Sequence, residues 1–190
     1  MKTSVTHRGS LIALFALAIL AVAHGHDAGQ AMPAITEPTI KLQAIDGQTY
    51  DVVEMRGNVV LVSFGATWCT PCSTELRALE ELLVEYRDKP VKFFWVSIES
   101  EEEVSNRALK RYVKERKVTF PALRDPAKVA FTQFSPRVRL PVIVFFDKDG
   151  HVDQPVQFGM RSPASTYKVD MRARLNKLLL RRASDRHIPL

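Results

Sequence analysis

Residues 59–72 read VVLVSFGATWCTPC, an uninterrupted apolar run followed closely by two cysteines three positions apart. The run Val59–Phe64 shows no alternation of polar and apolar residues, which is typical of a strand buried on both faces of a parallel or mixed sheet. After Pro71 the pattern changes to a helical period, with one apolar stripe made by Leu76, Leu79, Leu82, Leu83 and Tyr86. The stretch therefore predicts a buried strand, a short loop and a helix that starts at the cysteines.

Five more strands are predicted from apolar or alternating runs bounded by turn residues, at Ile40–Ala44, Tyr50–Val53, Val91–Ile98, Val142–Phe146 and Val152–Phe158. The first two flank the turn dipeptide Asp46-Gly47 and predict an N-terminal β-hairpin. The last two flank the turn at residues 147–150 and predict an antiparallel hairpin near the C-terminus.

Three more helices are predicted from capping residues. Ser100 and the glutamates after it form a capping box, and basic residues up to Lys117 complement the helix dipole at the other end. Asp125-Pro126 predicts a short helix through Phe134, and Ser162-Pro163 predicts the start of the last helix. With a βαβ crossover and a terminal hairpin, this order predicts an α/β fold with helices on both faces of one mixed sheet.

The N-terminal segment is typical of a secretory signal peptide. Lys2 and Arg8 precede an apolar run, Leu11–Ala23, that ends in small residues. This run is shorter than the roughly 17 to 25 residues that a membrane-spanning helix needs, so we favour cleavage over a retained anchor. The sequence thus predicts a signal peptide (1–23), a flexible lead-in (24–38), one domain (39–181) and a basic tail (182–190), with a periplasmic or otherwise extracytoplasmic location.

Composition and charge narrow the function classes. The 190 residues are 46% hydrophobic and 25% charged, which is ordinary for one globular domain. The formal net charge is +6, but the cations fall late in predicted helices and in the tail rather than in a patch interleaved with aromatics. Nucleic acid is therefore not an expected partner.

The two cysteines point to redox chemistry. A pair this close in sequence closes a very short loop, which removes little entropy from the unfolded chain, so structural stapling is a poor reason for it. Cys69 is placed where the unpaired N–H groups and the dipole of a helix start stabilise a thiolate, and in such C-x-x-C motifs the pKa of the thiol falls to roughly 3.5 to 7.5. We expect Cys69 to attack and Cys72, one turn further, to resolve the mixed disulfide, with Thr70 and Pro71 shaping the loop.

Metal binding is the alternative use of such a pair. Structural zinc needs about four ligands, and the chain has only these 2 cysteines, so we expect neither a metal nor a cofactor beyond a redox-active Cys69–Cys72 disulfide. Cleavage after Ala23 would place His26 third from a new N-terminus that begins at His24, an arrangement that suits Cu(II) or Ni(II). Cleavage after Gly25 would remove that motif.

Residues 63–72 resemble the active-site segment of exported thioredoxin-like disulfide reductases of the TlpA/ResA/CcmG group. The resemblance runs from the hairpin at Ile40 to the last helix and includes Arg139-Leu140-Pro141-Val142 before a strand. It implies a thioredoxin-like fold, with residues 100–134 corresponding to the central insert of the TlpA-like group.

The resemblance also implies site residues beyond the cysteines. Pro141 would be a cis-proline beside the cysteines, with Leu140 tuning the fit of substrate and Trp68 supporting the site; the alternative for Pro141 is a trans proline at a strand start. Glu75 matches a glutamate that influences cysteine acidity, and its alternative is a surface glutamate of the helix.

Two positions depart from thioredoxin itself. Ser63 stands where thioredoxin has a buried, proton-shuttling aspartate, and Gly65 stands where it commonly has a tryptophan. Without the aspartate, Glu75 or solvent has to accept the proton of Cys72.

The function that the resemblance implies is reduction of disulfides in exported protein clients, of the cytochrome c maturation type, with electrons from a membrane thiol donor. A Cu(I)-carrying protein that uses the same thiols is one alternative, because soft thiolates select that ion. An oxidant or isomerase is another, because such dithiols span potentials from roughly −270 to −120 mV.

Overall fold

A five-stranded mixed sheet forms the centre of the computed structural model, which describes residues 37–181. Its strands in spatial order are β5 (Ala122–Arg124), β4 (Val91–Ser97), β3 (Val59–Gly65), β6 (Val142–Phe146) and β7 (Val152–Phe158). β3, β4 and β5 run parallel, whereas β6 and β7 pair antiparallel. Every residue of β3 and β6 is buried, which accounts for their unbroken apolar sequences.

Four α-helices, a small hairpin and one 3₁₀ turn (Val52–Met55), which takes the place of the end of the predicted strand Tyr50–Val53, complete the described fold. The helices are α1 (Thr70–Glu85), α2 (Asn106–Glu115), α3 (Val129–Thr132) and α4 (Ala164–Leu180), and the hairpin pairs β1 (Lys41–Gln43) with β2 (Thr49–Asp51). The apolar stripes of α1, α2 and α4 form one core cluster with the side chains of Leu61, Phe93 and Phe145. The hairpin and α3 pack with Phe64 and its neighbours in a second cluster. The predicted α/β fold with a mixed sheet flanked by helices is confirmed.

Two predicted helix starts are wrong. Ser100 and Glu103 do exchange the hydrogen bonds of a capping box, but these close a turn, and α2 begins only at Asn106 with Ser105 as its cap. The helix predicted from Asp125 is reduced to α3, because residues 126–128 form a turn and the Asp125 carboxylate accepts from the distant N–H of Phe131 at 2.7 Å. Strand β5 was not predicted, since it is only three residues long and is held by pairing with β4.

Several predictions concern segments outside residues 37–181. They are the signal peptide (1–23), nearly all of the lead-in with His24 and His26, and the basic tail (182–190). Within residues 37–181, none of the helices has both the length and the apolar character needed to cross a membrane.

Candidate active site

The cysteine pair lies at the start of α1, where β3 has just ended. Cys69 is the N-cap residue with an extended backbone, and its sulfur accepts a hydrogen bond from the N–H of Cys72 at 3.2 Å. Pro71 occupies the first turn, where a helix needs no N–H donor. Cys69 and Cys72 form a disulfide with their Cα atoms 5.3 Å apart. The helix start thus places both sulfurs where its free N–H groups favour negative charge.

The two sulfurs differ in access to solvent. Cys69 keeps 5% of its surface exposed, whereas Cys72 is completely buried. Trp68, next to Cys69, is 63% exposed although its side chain is large and apolar, and Thr70 and Pro71 are exposed as well. A partner molecule can therefore approach Cys69 across the Trp68 ring, while Cys72 is shielded by the protein.

Leu140 and Pro141 lie beside the loop that leads to Cys69. The antiparallel register pairs Phe64 with Val142, so the residues before Val142 are next to those that follow Phe64. The Leu140–Pro141 bond is cis, as are the bonds before Pro155 and Pro163. Leu140 is half-buried and packs against the cluster that contains both cysteines. The structure thus places Leu140 and Pro141 beside the end of β3 from which the cysteine loop leaves, with the cis bond that the resemblance implies; a role in holding substrate stays a prediction.

Glu75 is a buried carboxyl of α1, close in sequence to the cysteines. It follows Cys72 by one helical turn on the same face of α1 and has no exposed surface. Its carboxylate accepts hydrogen bonds from the Ser63 hydroxyl at 2.6 Å and from the Tyr167 hydroxyl at 2.7 Å. Burial raises the pKa of Glu75 to about 7, and these two hydrogen bonds only partly oppose that rise. The alternative of a surface glutamate is therefore wrong.

Tyr167 is a site residue that the sequence analysis missed. It comes from α4, 92 residues after Glu75, and is fully buried. Burial raises the pKa of Tyr167 well above its ordinary value, and the neighbouring Glu75 carboxylate adds to that rise. Its spacing from Met171 and Leu175 places it on the apolar stripe of the last helix, which is the one signal that could have identified it.

Glu99 is a second buried carboxylate, and it holds the loop before Cys69. One oxygen accepts from the N–H of Thr67 at 2.8 Å and from the Ser97 hydroxyl at 3.1 Å, and the other accepts from the Thr67 hydroxyl at 2.6 Å. Glu99 is only 3% exposed, and its carbonyl accepts from Arg124 at 3.0 Å. These contacts link the ends of β4 and β5 to the active-site loop.

Replacing Glu99 with glutamine should destabilise the oxidised protein. The amide group can replace only one acceptor oxygen, so a Thr67 donor loses its charged partner, at a cost of about 1.5–3 kcal/mol. Urea unfolding of Glu99→Gln beside the exposed control Glu54→Gln measures the difference. Equal midpoints for the two variants would show that the Glu99 contacts do not hold the loop.

Away from the cysteine pair, the described residues include three side chains of types that can bind a metal ion. Asp147, Asp149 and His151 have ligand atoms within 4.8 Å of one another. They belong to the turn after β6, at the end of that strand opposite Pro141. The Asp147 carboxylate accepts from the N–H groups of Asp149 and His151, so these contacts serve the turn itself.

Known proteins similar to this chain include a thiol-disulfide oxidoreductase and a thioredoxin-like protein. The AhpC/TSA family model matches residues 28–154. The thiol-disulfide oxidoreductase ResA of Bacillus thuringiensis subsp. konkukian is 27% identical over 120 residues, which are 63% of this chain and 66% of the relative. The thioredoxin-like protein YneN of Bacillus subtilis is 34% identical over 88 residues, 46% of this chain and 51% of the relative. The chain thus spans just under two thirds of the ResA relative.

A solved structure matches most of the described fold. The exposed lipoprotein thioredoxin Etrx1 of Streptococcus pneumoniae superimposes with a TM-score of 0.60 at 26% identity, covering 74% of this chain and 99% of that one. The thioredoxin-like fold is therefore confirmed, and so is the likeness to ResA-type proteins. Since the family model covers more than half of the sequence, the chain belongs to the AhpC/TSA family.

Proposed function

We propose that this protein is a thiol–disulfide oxidoreductase that exchanges electrons between its Cys69–Cys72 pair and disulfides of protein clients. The observation that carries the proposal is a disulfide at one helix start whose two cysteines differ, with Cys69 keeping 5% of its surface exposed next to the exposed Trp68 and Cys72 fully buried. The name of the ResA relative adds support. No further cofactor is needed, because the cysteine pair itself carries the electrons.

In the reductive direction the Cys69 thiolate attacks one sulfur of a client disulfide. The client S–S bond breaks, one client thiolate leaves, and a mixed disulfide joins Cys69 to the client. Cys72 loses its proton to Glu75 and attacks the Cys69 sulfur, which restores the Cys69–Cys72 disulfide and releases the second client thiolate. Two electrons pass to the client, and an external dithiol returns them to the pair.

The exposed apolar side chains suggest where a client docks. Trp68 and Phe158 are exposed, and Phe158 pairs with Val142 just after the Leu140–Pro141 bond. An extended client segment that crosses Leu140 would bring its disulfide to Cys69. By analogy with the TlpA/ResA/CcmG group, the clients are exported proteins of the cytochrome c maturation type, the donor is a membrane thiol protein and the location is extracytoplasmic.

The reduction potential of the Cys69–Cys72 pair tests the direction of electron flow. Equilibration against dithiothreitol and glutathione buffers should give a value nearer the roughly −270 mV of thioredoxin than the −120 mV of DsbA. A parallel assay follows reduction of insulin disulfides by catalytic amounts of the protein. A potential near the DsbA end would make the protein an oxidant. Tight anaerobic Cu(I) binding without any disulfide exchange would instead favour a copper carrier.

A further inference from the structure

Trp95 has an unsatisfied donor next to the active site. It lies on β4, paired with Ser63 of β3, and its side chain is fully buried. Its indole Nε1 has no hydrogen-bond partner among the described residues. Buried polar groups without partners are rare in folded proteins because the lost contacts with water are not replaced. The Trp95 indole N–H is therefore a buried donor that could bind a further acceptor at this place.

The geometry around Gly65 shows where the indole points. A Cβ atom placed on Gly65 would lie 2.5 Å from the Trp95 nitrogen and 3.3 Å from the Cβ of Cys72. The indole nitrogen and the Cys72 side chain thus both lie against Gly65, and the indole can occupy this position only because residue 65 has no side chain. Thioredoxin commonly has a tryptophan at the position of Gly65. Here the indole of Trp95, from the neighbouring strand β4, lies against Gly65.

We propose that Trp95 is a positioning residue for the resolving cysteine, donating its indole N–H to the Cys72 sulfur once the disulfide is reduced. The inference rests on the proposed redox cycling of the pair. A disulfide sulfur is a weak acceptor, whereas a thiolate accepts strong, charge-assisted hydrogen bonds. When an external dithiol reduces the pair, the S–S bond breaks, the Cys72 sulfur gains electron density and the indole keeps its proton.

A donor that gains its partner only on reduction stabilises the reduced form. Trp95 therefore makes the pair easier to reduce and favours the Cys72 thiolate that attacks the mixed disulfide. Several titratable or charged groups lie near Cys72 or near the indole. They are Cys69 in the disulfide, Glu75 one turn along α1 with Tyr167 bonded to it, Tyr112 stacked on the indole with Arg116 over its ring, and Glu99 bonded to the loop before Cys69. The indole N–H has its own resonance, so its contact can be followed separately from those of the other groups.

Nuclear magnetic resonance of the indole N–H groups tests the contact directly. The chain has 2 tryptophans, so the spectrum holds two indole signals and Trp68→Phe assigns them. Reduction with dithiothreitol should move the Trp95 signal downfield and slow its exchange with water, and Cys72→Ala, which removes the acceptor atom, should abolish the downfield shift. A Trp95 signal that is the same in both redox states would overturn the proposal.

A second measurement compares Trp95→Phe with Tyr112→Phe. Tyr112 stacks on the Trp95 ring with centroids 5.5 Å apart, so its variant controls for disturbed packing. Trp95→Phe should shift the equilibrium with glutathione about tenfold toward the disulfide, equal to about 30 mV, and Tyr112→Phe should leave it unchanged. Equal potentials for both variants would overturn the proposal. An indole shift without insulin reduction would count against the proposed function but not against the contact.

Discussion

Replacing Cys69 with serine is expected to reduce insulin-disulfide reduction to the background rate of the dithiol alone. The first exchange step needs a thiolate that reaches the client, and Cys72 cannot substitute for it because it is completely buried. A serine hydroxyl is not ionised near neutral pH, so no mixed disulfide can form. The turbidity assay for reduced insulin measures the loss, and Thr74→Ala at an exposed position of α1 serves as the control.

Replacing Cys72 with serine should stop the reaction one step later. Cys69 still attacks, but the mixed disulfide is not resolved, so a client adduct accumulates that mass spectrometry detects. Cys69→Ser should give no adduct under the same conditions. An adduct in Cys69→Ser and none in Cys72→Ser would reverse the roles of the two sulfurs.

The local part of this site could be predicted from the sequence because it depends on neighbouring residues. The change from an apolar run to a helical period at residues 59–72 places the cysteines at a helix start, and the structure has Cys69 as the N-cap. The α/β topology also follows from local signals, because an unbroken apolar run such as Val142–Phe146 by itself indicates a strand that is buried on both faces. Such features need no knowledge of distant contacts.

The rest of the site depends on contacts between residues far apart in the chain. Glu75 is buried and accepts from Tyr167, which comes 92 residues later, and the loop before Cys69 is held by Glu99, 32 residues after Thr67. Strand β5 is only three residues long, which is too short to show a strand pattern in the sequence. It is held as a strand by its pairing with β4. The capping box at Ser100 was recognised correctly, but the same hydrogen bonds can close a turn as well as begin a helix.

Replacing Glu75 with glutamine should change how stability depends on pH. The pKa of Glu75 is raised from 4.5 to about 7 in the folded protein. Between these values the unfolded chain has released the proton and the folded protein still holds it, so stability falls as pH rises. The loss is complete above about pH 7 and amounts to about 3 kcal/mol. Glutamine has no charge to bury, so the variant avoids this loss.

Urea unfolding of the oxidised proteins at pH 4.5 and pH 8 measures this effect. The free energy of unfolding of Glu75→Gln relative to the unsubstituted protein should rise by about 3 kcal/mol between the two pH values. Glu54→Gln, at an exposed position, should show no such divergence. Parallel curves for Glu75→Gln and the unsubstituted protein would mean that the buried carboxyl does not carry the raised pKa.

The same substitution should slow the resolving step of catalysis. With a pKa of about 7, Glu75 is about half ionised at neutral pH and can accept the proton of Cys72, whereas a glutamine cannot. General bases contribute roughly 10²–10⁴-fold, so we expect the mixed disulfide of Glu75→Gln to decay at least about 100-fold more slowly at pH 7. Rapid-quench measurement of that decay should also show the inflection near pH 7 disappear. An unchanged pH–rate profile would leave solvent as the proton acceptor, and the burial of Glu75 would then serve structure alone.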